Sequence, residues 1–353
     1  MQLQPTAAKL AEITYRSKIS KQHLGDSVAF PNEPSASQFL EILKKRLKDS
    51  EKIFLRLQKS SVPLSPYLEI GAEYGLASAL LENKFKASGF STDISLHSLT
   101  KAKDFAKKFN LGKIPKTICA DAYNLPFKSN SFNFVFMYET LHHFPDPKPV
   151  LLEIRRVLAQ GGVCFIGADP IKSFFNIRLW RRPTKLRFWE KILKALLILP
   201  LISDIGKTEV EHGILEEAFP LAVWREALSI FDKVQATVCA FPFGPCETIT
   251  KTPNSKNWLA PSLITKIALY LLGGGLQALA YKFNSSQVKN HPENNLEDLL
   301  ICPNCRKHQL EISLKNLTCS KCQTKYPQYK NVPILLAKKL QNRLLSKKTW
   351  NSQ

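Results

Sequence analysis

The sequence has no leader pattern: Met1-Gln-Leu-Gln-Pro-Thr6 lacks the basic patch, apolar run and small-residue cleavage site of a secretory signal. The chain is therefore expected in the cytosol, at most peripheral to a membrane. No internal repeat or low-complexity tract is present, so a solenoid or fibrous architecture is not expected. Acidic residues are scarce, 29 against 50 Lys and Arg, which leaves a formal net charge of +21. That balance favours polyanionic surroundings, either RNA or the anionic face of a membrane, and carries no information about fold. Charged residues make up 22% and hydrophobic ones 44% of 353 residues, which excludes a disordered chain and a polytopic membrane protein. The length allows one large domain with an appendage, or two domains.

What is present divides the chain. Residues 1–60 read as a basic lead-in that turns helical after Pro34, where Ser35 and Gln38 have capping-box spacing and Phe39, Leu40, Leu43 and Leu47 share a face. From 61 to 283 short apolar runs alternate with amphipathic helices, the pattern of an α/β, doubly wound parallel sheet. The runs are Tyr67 to Ile70, Phe90 to Asp93, Thr117 to Ala120, Phe132 to Tyr138 and Val163 to Ala168, with Val234 to Ala240 and Glu247 to Thr250 completing the sheet. Residues 171–205, basic and aromatic before an apolar run, and 262–283 are expected to be lid or interfacial helices, too short or too interrupted to span a membrane. A polar linker at 284–295, a cysteine module at 296–338 and a basic tail at 339–353 follow.

Glu69-Ile-Gly-Ala-Glu-Tyr-Gly75 lies where the first strand turns into the first helix of the sheet, the crevice in which open α/β sheets bind ligands. Glycine in such a turn permits positive φ and close approach of backbone to ligand. Asp93 ends the second strand about twenty residues on, the spacing at which a carboxylate accepts from a ribose diol. Next come Cys119-Ala-Asp-Ala-Tyr-Asn-Leu-Pro-Phe127, then Ser131-Phe-Asn-Phe-Val-Phe-Met-Tyr-Glu-Thr-Leu-His-His143, Glu153-Ile-Arg-Arg-Val-Leu158 and Gly161-Gly162. From Tyr67 to Ala168 this series resembles the class I S-adenosylmethionine-dependent methyltransferases, in the broad type 11 or UbiE-like subfamily, and so implies a Rossmann-like fold and methyl transfer.

The resemblance implies that Glu69, Gly71, Glu73 and Gly75 shape the loop around the methionine part of the cofactor. It gives Asp93 the ribose hydroxyls, Ile94 the adenine face, Asp121 with Ala122 the adenine amino group, and Met137 with Tyr138 the methionine end. Two positions depart from the pattern: Glu73 replaces the middle glycine, and Asn133 replaces the aspartate of the fourth strand. Glu73 either attracts the cofactor's ammonium or repels its carboxylate. Asp93 and Asp121 also suit plain turn or helix capping. His142, His143 and Glu139 are candidate general bases, and a helix-start or packing role competes for both histidines. The segment from Glu211 to Glu216, with Phe219 and Trp224, lies where the resembling subfamily shapes its acceptor pocket.

Of eight cysteines, Cys119, Cys164, Cys239 and Cys246 stand singly, whereas Cys302-Pro-Asn-Cys305 and Cys319-Ser-Lys-Cys322 form two knuckles. Four soft ligands so spaced suit a structural Zn²⁺, closed to substrate. With Leu296 to Ile301 before it and Tyr326 to Leu336 after it, the module resembles a Trm112-type zinc-binding domain. That family implies a zinc-ribbon-like helper that packs on its own methyltransferase domain. The expected function is methyl transfer to a small-molecule, lipid or glycan-precursor acceptor, with the membrane surface as a possible partner. An RNA or translation-factor acceptor is the alternative, and a non-catalytic cofactor-binding scaffold a third.

Overall fold

The computed structural model describes residues 6–30, 33–173, 188–196, 198, 207–241, 244–251, 257–283, 295–313, 316–338 and 340–342. Most of the expected 171–205 lid, the 284–294 part of the linker and the tail from 343 lie outside them.

Five parallel strands form the centre: β1 (Tyr67–Ile70), β2 (Gly89–Asp93), β3 (Lys116–Ala120), β4 (Phe132–Tyr138) and β5 (Leu158–Ile171). Their order, β3-β2-β1-β4-β5, reverses direction between β1 and β4, so the crevice at the carboxyl edge opens beside the ends of these two strands. Near-continuous burial of β1 and β4 reflects cover on both faces. The crossover helices include α3 (Leu76–Lys84), α4 (Leu96–Thr100), α5 (Ala102–Lys108) and α6 (Pro147–Val157). Asp146 caps α6 through the Lys148 N–H, and Val150, Leu151, Ile154 and Val157 supply its buried face.

Beyond β5 the sheet turns antiparallel through β8 (Gly274–Tyr281), β6 (Lys233–Ala240) and β7 (Cys246–Lys251). The expectation of helix throughout 262–283 is corrected here: a helix, Leu263–Leu272, ends at Gly273 (φ 76), and the chain then enters the sheet as β8. The cause is close packing. A Cβ on Gly274 would lie 2.2 Å from the Cys239 carbonyl, and burial alternates residue by residue along the strand, the period of a sheet. Two cysteines read as single are also paired: Cys239 and Cys246 face each other across β6 and β7 and form a disulfide.

The lead-in is more structured than its sequence suggests. Besides α2 (Ala36–Lys59), capped by Ser35 and Gln38 as a capping box, it forms α1 (Thr6–Leu24). No clear apolar stripe marks α1, because among its buried residues are Lys9, Gln22 and His23, the first and last satisfied by distant side chains and Gln22 by the backbone of Phe30 in the loop that follows. His23 stacks on Phe39 and pairs with the Tyr74 hydroxyl at 2.9 Å, which joins α1 to α2 and to the first loop of the sheet.

Candidate functional site

Three residues of the loop after β1 have left-handed backbone: Gly71 (φ 69), Glu73 (φ 50) and Gly75 (φ 64). Gly71 passes so near β4's exit that a Cβ would sit 2.5 Å from the Thr140 side chain. Glu73 thus keeps the conformation in which glycine is favoured, and its carboxylate lies between two guanidiniums, 3.8 Å from Arg16 on α1 and 3.8 Å from Arg46 on α2. Its charge is answered by the N-terminal helices, an arrangement with no local signature in the sequence. Glu69 lies buried beneath the loop, where Ser78 (backbone and hydroxyl) and Ser91 donate to it. Burial raises its pKa to about 7.

Asp93 closes β2. The Ser95 N–H donates to its Oδ1 at 2.7 Å and the Glu73 N–H to its Oδ2 at 2.8 Å, so it ties the first loop to the second. The capping role is therefore present. Each carboxylate oxygen still has a second lone pair, which leaves room for a hydroxyl donor. Ile94, beside it, is half-buried against the cluster that contains Leu96 and Leu99. Asp121, just after β3, accepts from the Tyr123 N–H at 3.1 Å and forms a close ion pair with Lys9 of α1. Ala122 packs at the margin of the main core.

At the end of β4 the two residues expected at the methionine end part company. Tyr138 is 37% exposed, whereas Met137 is wholly buried in the core cluster that contains Ile70, Leu141 and Ile166. Strand alternation sends adjacent side chains to opposite faces, and it gives Met137 a core place. Glu139 (φ 48) accepts from Arg46 at 2.7 Å, and that ion pair engages the candidate base.

The next turn, Leu141–His143, assembles a polar cluster. Asp169 Oδ1, fully buried in β5, accepts from the His142 backbone N–H at 3.1 Å and faces its Nδ1 at 2.9 Å. Glu216 Oε1 lies 4.0 Å from His142 Nε2 and 3.2 Å from His143 Nδ1, while the Glu217 N–H donates to the His142 carbonyl at 2.7 Å. The 215–217 stretch is thus pinned against the histidine turn. Asp169 escaped the sequence reading, although an acid in the otherwise apolar Cys-Phe-Ile-Gly-Ala-Asp-Pro-Ile run was a visible anomaly. Lys9, Arg16 and Arg46 left no such trace.

Residues 68–166, which carry all of this except the N-terminal cations, Asp169 and Glu216, match the family model Methyltransf_11, described as a methyltransferase domain. The chain carries a methyltransferase domain. Its relatives include methyltransferase GfsG of Streptomyces halstedii, 28% identical over 137 residues, 39% of this chain and 49% of that protein. A malonyl-[acyl-carrier protein] O-methyltransferase of Halorhodospira halophila is 28% identical over 140 residues, 39% of this chain and 46% of that one. The chain spans about half the length of these curated relatives. Among solved structures, the PH0226 protein of Pyrococcus horikoshii aligns at 17% identity over 68% of this chain and 91% of its own, with a TM-score of 0.41.

The cysteine module abuts the outer edge of the methyltransferase domain. Its strands are β9 (Leu310–Ile312), β10 (Asn316–Cys319), β11 (Lys325–Tyr329) and β12 (Val332–Leu335), and β12 pairs in parallel with β3 so that one sheet runs through both parts. Arg306 reaches Glu153 of α6 at 2.8 Å, and the Asn124 side chain donates to the Pro303 carbonyl at 2.8 Å. The four thiols converge: Cys302 and Cys322 sulfurs are 3.5 Å apart, Cys305 and Cys319 are 3.7 Å apart, and all four lie within 4.8 Å of one another. Zn–S bonds of about 2.3 Å place tetrahedral sulfurs roughly 3.8 Å apart, so the set fits a zinc ion.

Proposed function

We propose that this protein transfers the methyl group of S-adenosylmethionine to a small-molecule, lipid or glycan-precursor acceptor. The observation that carries the reading is the row of acids Glu69, Asp93 and Asp121 along the carboxyl edge of β1, β2 and β3, beside the point where strand order reverses. Bound there, the cofactor supplies an electrophilic methyl group on sulfur. Asp93 would hold the ribose hydroxyls and Asp121 the adenine amine, while Arg16 and Arg46 meet charge at the amino-acid end. Tyr138, at the end of β4, would wall the methyl from water, and holding the two reactants in line supplies much of the rate enhancement. The Halorhodospira halophila relative, a malonyl-[acyl-carrier protein] O-methyltransferase, supports a small or carrier-borne acceptor.

The tetrathiolate is proposed as a structural zinc site and the module as a Trm112-like helper in cis, since a closed four-sulfur site leaves no position for substrate. Its continuity with β3 supports this role. Among the described residues no helix is long and apolar enough to cross a membrane. The helix Leu263–Leu272 nevertheless carries Leu263 and Ile264 at 72% and 75% exposure, with Ile267 and Tyr270 beside them, a face that supports peripheral contact with an anionic bilayer.

Calorimetry with S-adenosylmethionine on the wild type and Asp93→Ala tests the cofactor site. Binding by the wild type with at least tenfold loss in the variant is expected; absence of binding by both would overturn the reading, and binding without any methyl transfer would favour the cofactor-binding scaffold. Transfer of labelled methyl to a fractionated host lysate then identifies the acceptor class.

A further inference from the structure

The cluster at the turn after β4 does more than pack. We propose that His142, His143 and Glu216 bind a divalent transition-metal ion of the zinc class, separate from the cysteine site, with Asp169 orienting His142. Two imidazoles and a carboxylate are a ligand set that takes such ions while leaving coordination positions open. Bonds of about 2.0–2.2 Å hold ligand atoms roughly 3–4 Å apart. Each of the three offers a ligand atom within 4.8 Å of the others, with Glu216 Oε1 4.0 Å from His142 Nε2 and 3.2 Å from His143 Nδ1. His143 Nδ1 also faces the Leu215 carbonyl at 3.0 Å, a contact that an ion on that nitrogen would replace.

The second observation is the partner behind the first ligand. His142 Nδ1 faces Asp169 Oδ1 at 2.9 Å, and the same oxygen accepts the His142 backbone N–H. A buried carboxylate on one ring nitrogen keeps the proton there and turns the lone pair of the other toward a metal, the arrangement that metal-binding histidines commonly have. The chain supports that geometry from three sides. Asp169 is fixed in β5, the histidines sit in a short turn, and Glu216 is anchored by the Glu217 N–H on the His142 carbonyl.

The consequence for chemistry rests on the methyl-transfer reading. An acceptor hydroxyl bound at an open position of the ion would lose its proton to water near neutral pH. The oxygen lone pair would then form the new O–C bond as the C–S bond breaks, its electron pair remaining on sulfur. No oxidant or reductant is needed.

The test is metal counting on the full chain, purified and then loaded with zinc alone. Two zinc ions per chain are expected in the wild type and one in Glu216→Gln and in His142→Gln. Asp169→Asn should keep two at saturation but bind the second about 10- to 100-fold more weakly. Cobalt substitution distinguishes the sites: the thiolate charge-transfer band of the cysteine site should persist in Glu216→Gln, while the bands of the nitrogen and oxygen site disappear. Circular dichroism melts identify any variant that has simply unfolded, and the Asp169→Asn titration then decides. One zinc per wild-type chain, or two in a folded Glu216→Gln, overturns the proposal. Calorimetry with S-adenosylmethionine on the same samples keeps the readings apart. Cofactor binding without a second zinc sinks only the metal site, and a second zinc without cofactor binding sinks only the methyl-transfer reading.

Discussion

Lys9 of the first helix and Asp121 at the end of the third strand form a close ion pair, although 112 residues separate them in the chain. Both side chains are largely withdrawn from solvent, so the pair locks α1 over the adenine end of the proposed cofactor crevice. Lys9→Ala should loosen α1, at a cost of about 1–3 kcal/mol in stability, because it leaves Asp121 without its cation. The same change frees an acceptor for the adenine amine and should tighten S-adenosylmethionine binding. A urea titration and calorimetry on the variant measure the two effects, and weaker cofactor binding with an intact fold would count against Asp121 as the adenine contact.

Glu73 holds a glycine-like φ of 50 between Arg16 and Arg46. Glu73→Gly relieves backbone strain worth on the order of 1 kcal/mol and gives up two long, partly exposed ion pairs worth little, so stability should stay within about 1 kcal/mol of wild type. Cofactor affinity should rise several-fold, since a carboxylate no longer competes for the two arginines. A calorimetric comparison decides, and a fall in affinity would assign Glu73 to the cofactor's ammonium instead.

Glu69 makes a prediction about pH. Burial raises its pKa from an ordinary 4.5 to about 7 in the folded protein, so between those values the native state holds a proton that the unfolded chain has lost. Its contribution is therefore complete below about pH 4.5 and declines as pH rises to 7, by up to about 3 kcal/mol. Glu69→Gln removes the dependence. Denaturation at pH 5 and pH 8 should show the variant gaining on the wild type at the higher pH, and parallel losses would refute the assignment.

Cys302→Ser with Cys305→Ser should release the zinc proposed for the cysteine site. Because β12 is hydrogen-bonded to β3, the damage should extend beyond the module and expose the edge of the methyltransferase sheet. Limited proteolysis with metal analysis checks this: cleavage confined to residues 296–338 would mean that the two parts fold independently.

Ile264→Glu, on a side chain that is 75% exposed, should leave stability within about 0.5 kcal/mol of wild type. It should nonetheless abolish co-flotation with vesicles containing anionic lipid. Equal flotation of both proteins would exclude this helix as the contact.

The strands β1 to β5, the glycine loop, the acids at the strand ends and the two Cys-x-x-Cys knuckles were legible in the sequence because each is written in local terms: alternation, a turn residue, a short spacing. The antiparallel β8 was not, because an apolar run broken by three glycines suits helix or strand, and close packing against β6 decided it. Helix α1 was hidden for a related reason, since its buried face includes a lysine and a histidine whose partners lie far along the chain and a glutamine that bonds the backbone of the loop after the helix. The union of Glu216 and Asp169 with the two histidines is likewise a matter of tertiary structure alone. A polar side chain has no periodic signature of its own, and which one it meets is settled only when the sheet brings the ends of distant segments together.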